Sequence, residues 1–173
     1  MAEFPAVCVD SNVFISFLKG GTDRTPEDAQ QLRAFFTKVA EGKLYVVWST
    51  IERTEFMECN LPDNAMSIFE KFVQRKNIYE ANVNSQISSI AGEIRNFYAA
   101  QKKTNLEAPV IYTPDALILA TAIFYECTCL YTYDGDGAVG KKPRKLLKLN
   151  GDVAGYRLRV SKPESEQLEM YSN

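Results

Sequence analysis

The sequence predicts a single α/β domain with a central parallel sheet of about four or five strands, flanked by helices on both faces. Three observations predict it. Short apolar runs recur along the chain, each followed by a longer segment with helical periodicity. This strand–helix alternation marks a parallel sheet covered on both sides. Hydrophobic residues make up 46% of 173 residues, enough for a core at this size. No repeat, low-complexity tract or linker offers a place to divide the chain, so residues 1–160 are expected to form the domain and 161–173 a polar tail.

Residues 6–9 read as the first strand, an apolar run ending at Asp10. Asn12 to Leu18 then form a helix with a glycine stop at Gly20-Gly21. Thr25-Pro26-Glu27-Asp28 opens a second helix: Thr25 caps, Pro26 suits the first turn, and the acids suit the dipole. Leu32, Phe35, Phe36 and Val39 supply its apolar face. Residues 44–48 are a second strand. Ser49-Thr50-Ile51-Glu52 has the capping-box form, so a helix carrying Glu52 and Glu55 should follow at once. Met66, Phe69, Phe72 and Val73 mark a helix after Pro62, residues 78–81 a short third strand, and residues 87–98 the clearest amphipathic helix. Residues 104–113 read as a loop. Thr113-Pro114-Asp115 repeats the cap-plus-proline start, and the nearly all-apolar run 117–125 makes this helix a buried one. Residues 129–132 form a strand leading into Asp134-Gly135-Asp136-Gly137, and 156–160 a last one.

Composition narrows the chemistry. The chain has no histidine, which excludes histidine bases, Ser-His-Asp and Cys-His nucleophilic sites, and histidine-bound zinc. Its four cysteines form no CxxC pair, and Cys8, between Val7 and Val9, reads as a core residue. The N-terminus lacks the basic and apolar regions of a secretory signal, and no run of about 18 apolar residues occurs. A reduced, cytoplasmic protein with no membrane partner is expected. The formal charge is −2, which argues against a uniformly basic surface but leaves local patches open.

The remaining signal is where the acids fall. Asp10 ends the first strand, and Asp134 and Asp136 follow a later one. Asp115 lies in the first turn of its helix, and Glu55 or Glu52 near the start of another. In open α/β sheets ligands bind outside the carboxyl ends of strands, and helices that follow strands begin at that edge. These acids should therefore converge on one crevice, where they repel unless cations neutralise them. Oxygen ligands favour Mg²⁺ or Mn²⁺. Taken singly, each has a plainer reading: a turn residue for Asp10, a helix-start acid for Asp115, the reciprocal half of a capping box for Glu52. Asp134-Gly-Asp-Gly alone also fits a hairpin turn, but the following Ala138 and Val139 do not continue a calcium loop.

In these positions the sequence resembles the PIN-domain family of metal-dependent ribonucleases, in particular its toxin-type, VapC-like members. Val7-Cys8-Val9-Asp10-Ser11-Asn12 resembles the opening motif, an Asp that ends the first strand followed by a small hydroxyl residue and Asn. Ser49 to Phe56 resembles the second, with the acid six residues after the Ser, which selects Glu55 over Glu52. Pro114-Asp115-Ala116 and the apolar helix after it resemble the third, and Thr132-Tyr133-Asp134-Gly135-Asp136 the fourth. Gly137 stands where many members carry an aromatic, and the segment between the second and third motifs is long for a compact toxin-type member.

The resemblance implies a metal-dependent endoribonuclease in which Asp10, Glu55, Asp115, Asp134 and Asp136 hold Mg²⁺ or Mn²⁺. Ser11, Asn12 and Thr132 would support them from the next layer. It also implies an RNA substrate, an antitoxin partner and homodimerisation, as in many small members. Lys141, Lys142, Arg144 and Lys145 follow the acidic loop directly; such a run reads as a solvated face or as a phosphate-binding strip. Tyr112, Tyr131 and Tyr133 are candidates for stacking on bases, with an inward, core position favoured for Tyr131. Two other functions compete. One is a non-catalytic binding module of the same fold. The other is a phosphotransfer domain with Asp10 as nucleophile, which would want a second Asp where the chain has Asn12.

Overall fold

The computed structural model describes residues 5–59, 61, 63–135 and 146–164. Its centre is a sheet of β1 (Ala6–Val9), β2 (Tyr45–Ser49), β3 (Ile78–Ala81), β4 (Cys129–Tyr131) and β5 (Arg159–Ser161), in the order β3-β2-β1-β4-β5. Every pairing between these strands is parallel. The helices are α1 (Ser11–Leu18), α2 (Pro26–Ala40), α3 (Ile51–Met57), α4 (Ala65–Val73), α5 (Ser85–Thr104) and α6 (Thr113–Phe124). The expected fold class is the observed one.

Alternation along the strands distributes side chains to two cores. Val7, Val9, Val46, Trp48, Cys129 and Tyr131 face one side, where α1, α2 and α4 bring Phe14, Phe35, Phe36, Phe69 and Phe72. Cys8, Val47 and Leu130 face the other, against Ile87, Ala91, Ile94 and Tyr98 of α5 and Ile118, Leu119 and Ala122 of α6. Phe14 is the hub of the first core, with ring centroids 4.6–6.2 Å from Phe17, Phe36, Trp48, Phe56, Phe69 and Phe72. All four cysteines are free thiols, and Cys8 is wholly buried as a core residue should be.

Local signals account for most helix ends. Thr25 Oγ1 accepts from the Asp28 amide at 3.1 Å, and Asn84 Oδ1 from that of Ile87 at 2.9 Å, which starts α5 two residues before its first apolar position. Gly21 turns the chain out of α1 at φ +74°, and a Cβ there would lie 2.8 Å from the Ala29 Cβ. Besides small shifts at other element ends, such as β2 one residue later and the start of α1 one residue earlier, three details differ from expectation. Thr113 is the first residue of α6 rather than its cap, that place falling to Tyr112. The last strand lies at 159–161 instead of 156–160, because Tyr156 closes a tight turn with Val153, their amides and carbonyls bonding reciprocally. A short 3₁₀ turn at Leu146–Leu149, unforeseen in the sequence, buries Leu146 and Leu149.

The chain leaves β1 for β2 on one side and returns at β4 on the other. The crevice between the carboxyl ends of β1 and β4 is therefore the topological switch point. Among the described residues no helix is long and apolar enough to cross a membrane.

Candidate metal centre

Asp10 stands in that crevice. Its amide donates to the Tyr131 carbonyl at 2.9 Å, continuing the β1–β4 ladder, and its side chain caps α1 by accepting from the Asn12 amide. Oδ2 accepts from Thr132 Oγ1 at 2.6 Å and Asn12 Nδ2 at 2.7 Å; Oδ1 faces Ser11 Oγ at 3.2 Å. The carboxyl is 5% exposed. Burial is the main cause that pushes its pKa from 3.8 to about 7, with Glu55 and Asp115 adding to the rise and the Thr132 and Asn12 bonds opposing it.

Asn12 and Thr132 form a brace around this carboxylate. The Asn12 amide group also reaches Thr132 Oγ1 at 3.2 Å, and its Oδ1 accepts from the Tyr133 amide at 3.0 Å. Thr132 Oγ1 accepts in turn from the Asp134 amide at 2.9 Å. One side chain from α1 and one from the end of β4 thus clamp Asp10 and start the loop that carries Asp134. Asn12 and Thr132, expected to support the acids, both bond Asp10 directly, and an aspartate in place of Asn12, which phosphotransfer chemistry would want, would face Asp10 directly.

Ser11 joins the next acid. Its hydroxyl donates to Glu55 Oε2 at 2.6 Å, the shorter of its two carboxylate contacts, so Glu55 on α3 is tied to the β1–α1 corner. Asp115, 5% exposed in the first turn of α6, is near enough to raise Asp10's pKa. Asp134 is half-buried just past β4. The structure thus sets Asp10, Glu55, Asp115 and Asp134 at the carboxyl edge of the sheet. It does not draw them into a ready cluster: among the described residues no three acidic or cysteine side chains stand close enough to grip a cation. Carboxylates repel at short range, so these settle on hydroxyls and amides. Asp136, Lys141, Lys142, Arg144 and Lys145 lie outside the described residues.

Glu52 is the residue whose place the sequence understated. It makes the reciprocal half of a capping box, Oε2 accepting from the Ser49 amide at 2.8 Å, while the forward half is missing and Thr50 caps α3 without a side-chain bond. It is 0% exposed, and its Oε1 is buried with no hydrogen-bond partner. Burial holds its pKa well above the usual range, and Asp10 and Glu55 raise it further. The stacking role considered for tyrosines fails for two of three. Tyr131 is buried against Phe35 and Tyr133 beneath Arg24, whose guanidinium lies 4.0 Å from its ring centroid; Tyr112 is exposed.

The donor set suits a hard divalent cation. It is oxygen throughout, and it includes Asp10, a carboxyl held above its ordinary pKa by burial, with Glu55 and Asp115 raising it further. Such an arrangement is short of positive charge.

Comparisons with known proteins agree with this architecture. In sequence, no curated protein matches. In structure, the chain is similar to VapBC2 from Rickettsia felis, solved bound to a DNA fragment from their promoter. The TM-score is 0.53 and identity 15%, over 76% of this chain and 90% of that one. It is also similar to FitAcB from Neisseria gonorrhoeae, with a TM-score of 0.54 and 16% identity over 91% of this chain and 97% of that one. The family model described as PIN domain matches residues 7–139. That span includes the whole candidate site, and the chain belongs to the PIN-domain family.

Proposed function

We propose that this protein is a metal-dependent endoribonuclease, acting as the toxin of a toxin–antitoxin pair. The observation that carries the reading is Asp10: a buried carboxyl at the switch point, braced by Thr132 and Asn12, with Glu55 and Asp115 near enough to raise its pKa. Asp10, Glu55, Asp115, Asp134 and Asp136 would hold Mg²⁺ or Mn²⁺. Such an ion, when bound, lowers the pKa of a water for attack on a phosphodiester and stabilises the leaving oxygen. The absence of histidine from the chain fits that chemistry, which needs no imidazole base.

The protein's own groups do the positioning. Thr132 Oγ1 and Asn12 Nδ2 fix the Asp10 carboxyl plane, and Ser11 keeps its proton on the bond to Glu55 Oε2, which orients that acid toward Asp10. Lys141, Lys142, Arg144 and Lys145, next in the chain after the acidic loop, would meet RNA phosphates. Family membership and structural likeness to VapBC2 and FitAcB support an antitoxin partner, and the toxin-type resemblance supports homodimerisation and a cytoplasmic setting. Inducing the wild-type chain in a bacterial host should arrest growth and fragment RNA, while Asp115→Asn should do neither. Equal growth of the two strains would refute the toxin reading.

A further inference from the structure

Beneath the acids runs a chain of polar side chains that the site's chemistry does not use. Ser49, Glu52 and Thr121 are each 0% exposed. Glu52 Oε2 accepts from the Ser49 amide at 2.8 Å, and the Ser49 and Thr121 hydroxyls lie 3.3 Å apart in hydrogen-bond contact. Thr121 Oγ1 is anchored to its own helix by the Leu117 carbonyl at 2.7 Å. The chain therefore links α3, the end of β2 and α6. Each end belongs to a helix that carries a candidate ligand. Glu55 lies three residues after Glu52, on the same face of α3, and Asp115 six residues before Thr121, about 9 Å along α6.

Polar groups in a core are costly unless bonded, and bonded ones fix geometry that apolar contacts leave loose. α3 needs such a fixture. It spans seven residues, and its cap residue Thr50 makes no side-chain bond. Its first turn is tied to β3 by Arg53, which donates to Glu80 at 2.9 and 3.1 Å, and to the end of β2 by the Glu52–Ser49 bond, the tie made inside the core. On α6 the residues between Asp115 and Thr121 are all Ala, Leu or Ile, and Thr121 carries the hydroxyl that meets Ser49 of β2.

We propose that Glu52, Ser49 and Thr121 form a buried positioning strut that sets the spacing between the helices bearing Glu55 and Asp115, and thereby the affinity for a divalent cation, without touching it. The proposal rests on the metal-site reading above. Its essential features are the acceptor on Glu52 and the two hydroxyls.

The test is Mn²⁺ titration calorimetry of the full chain well below its melting temperature, with folding checked by circular dichroism. Thr121→Val keeps shape and removes a hydroxyl; Ser49→Ala removes the other. Each should weaken Mn²⁺ binding about tenfold, and the double variant should lose no more than the worse single one, since either breaks the same strut. Glu52→Gln keeps an acceptor for the Ser49 amide and should bind within about threefold of wild type. Should Thr121→Val not fold, Ser49→Ala carries the test. Wild-type affinity in both hydroxyl variants, with only their melting temperatures lowered, overturns the strut and leaves the metal site standing. Loss of all binding in Glu52→Gln overturns it as well, by making Glu52 a ligand. A wild-type chain that binds no Mn²⁺ overturns the metal site and the strut together.

Discussion

Replacing Asp10 with asparagine should stabilise the cation-free protein at pH 8. Asparagine has nearly the shape of a protonated aspartic acid. Its oxygen can accept from Thr132 and Asn12 while its NH₂ donates to the Ser11 hydroxyl, whose own proton goes to Glu55. What the substitution removes is the ionised form, together with the long 3.4 Å cap bond that Oδ1 accepts from the Asn12 amide. Asp10's pKa rises from 3.8 to about 7 on folding. An acid whose pKa is raised by folding contributes a penalty that is absent below its unfolded pKa and grows as pH climbs to the folded one. At about 1.4 kcal/mol per pH unit, the penalty reaches about 4 kcal/mol at pH 8 and about 2 kcal/mol at pH 5. If neighbours relax away half of the larger figure, the remaining ~2 kcal/mol corresponds to ~4–8 °C in a domain of this size. Thermal melts in EDTA at pH 8 and pH 5 measure it. The variant should melt higher than wild type at pH 8, with the gap closing toward pH 4. Mn²⁺ should raise the melting temperature of wild type more than that of the variant. A variant that melts below wild type by the same margin at both pH values would refute the argument, because it would mean that Asp10 contributes bonds and no buried-charge cost.

Three further outcomes follow from the same geometry. Thr132→Val removes the 2.6 Å bond that holds Asp10's pKa down, so that pKa should move above 7, read by carboxyl ¹³C NMR in EDTA; the variant should also lose about 2 kcal/mol in urea melts, since buried donors from Asn12 and Asp134 lose their acceptor. Asn12→Asp sets a second carboxylate against Asp10 where an NH₂ now stands at 2.7 Å, so it should lower the melting temperature more at pH 8 than at pH 5. Phe14→Ala, at the hub of the aromatic core, should cost about 3–5 kcal/mol by chemical denaturation.

Much of the fold was legible because its signals are local. The apolar runs at Ala6–Val9 and Ile78–Ala81 form strands with those bounds, and Thr25, Pro26 and the Gly20-Gly21 pair act where their backbone preferences place them. The last strand moved because Tyr156, a good strand former, is used in the turn with Val153, and propensity does not register such a contact. For the site, the order of the acids identified the edge of the sheet on which they lie. The spacing of their carboxylates was not legible, since repulsion and the Ser11 hydroxyl decide where each one turns. Nor was the depth of Glu52, whose capping-box pattern is satisfied equally by an exposed and by a wholly buried side chain. Tyr133 was open to misreading for a similar reason: Arg24, 109 positions away in sequence, covers its ring.

Everything proposed for the site requires that these carboxylates support hydrolysis of RNA. The most direct measurement is the cleavage rate of a defined single-stranded RNA by purified wild type and Asp115→Asn, each in Mn²⁺ and in EDTA. The prediction is cleavage by wild type in Mn²⁺ alone, with Asp115→Asn slower by about a hundredfold or more. Because water is the attacking group, the products should carry no 2′,3′-cyclic phosphate. Cleavage that persists in EDTA, or equal rates for the two proteins in Mn²⁺, would contradict it.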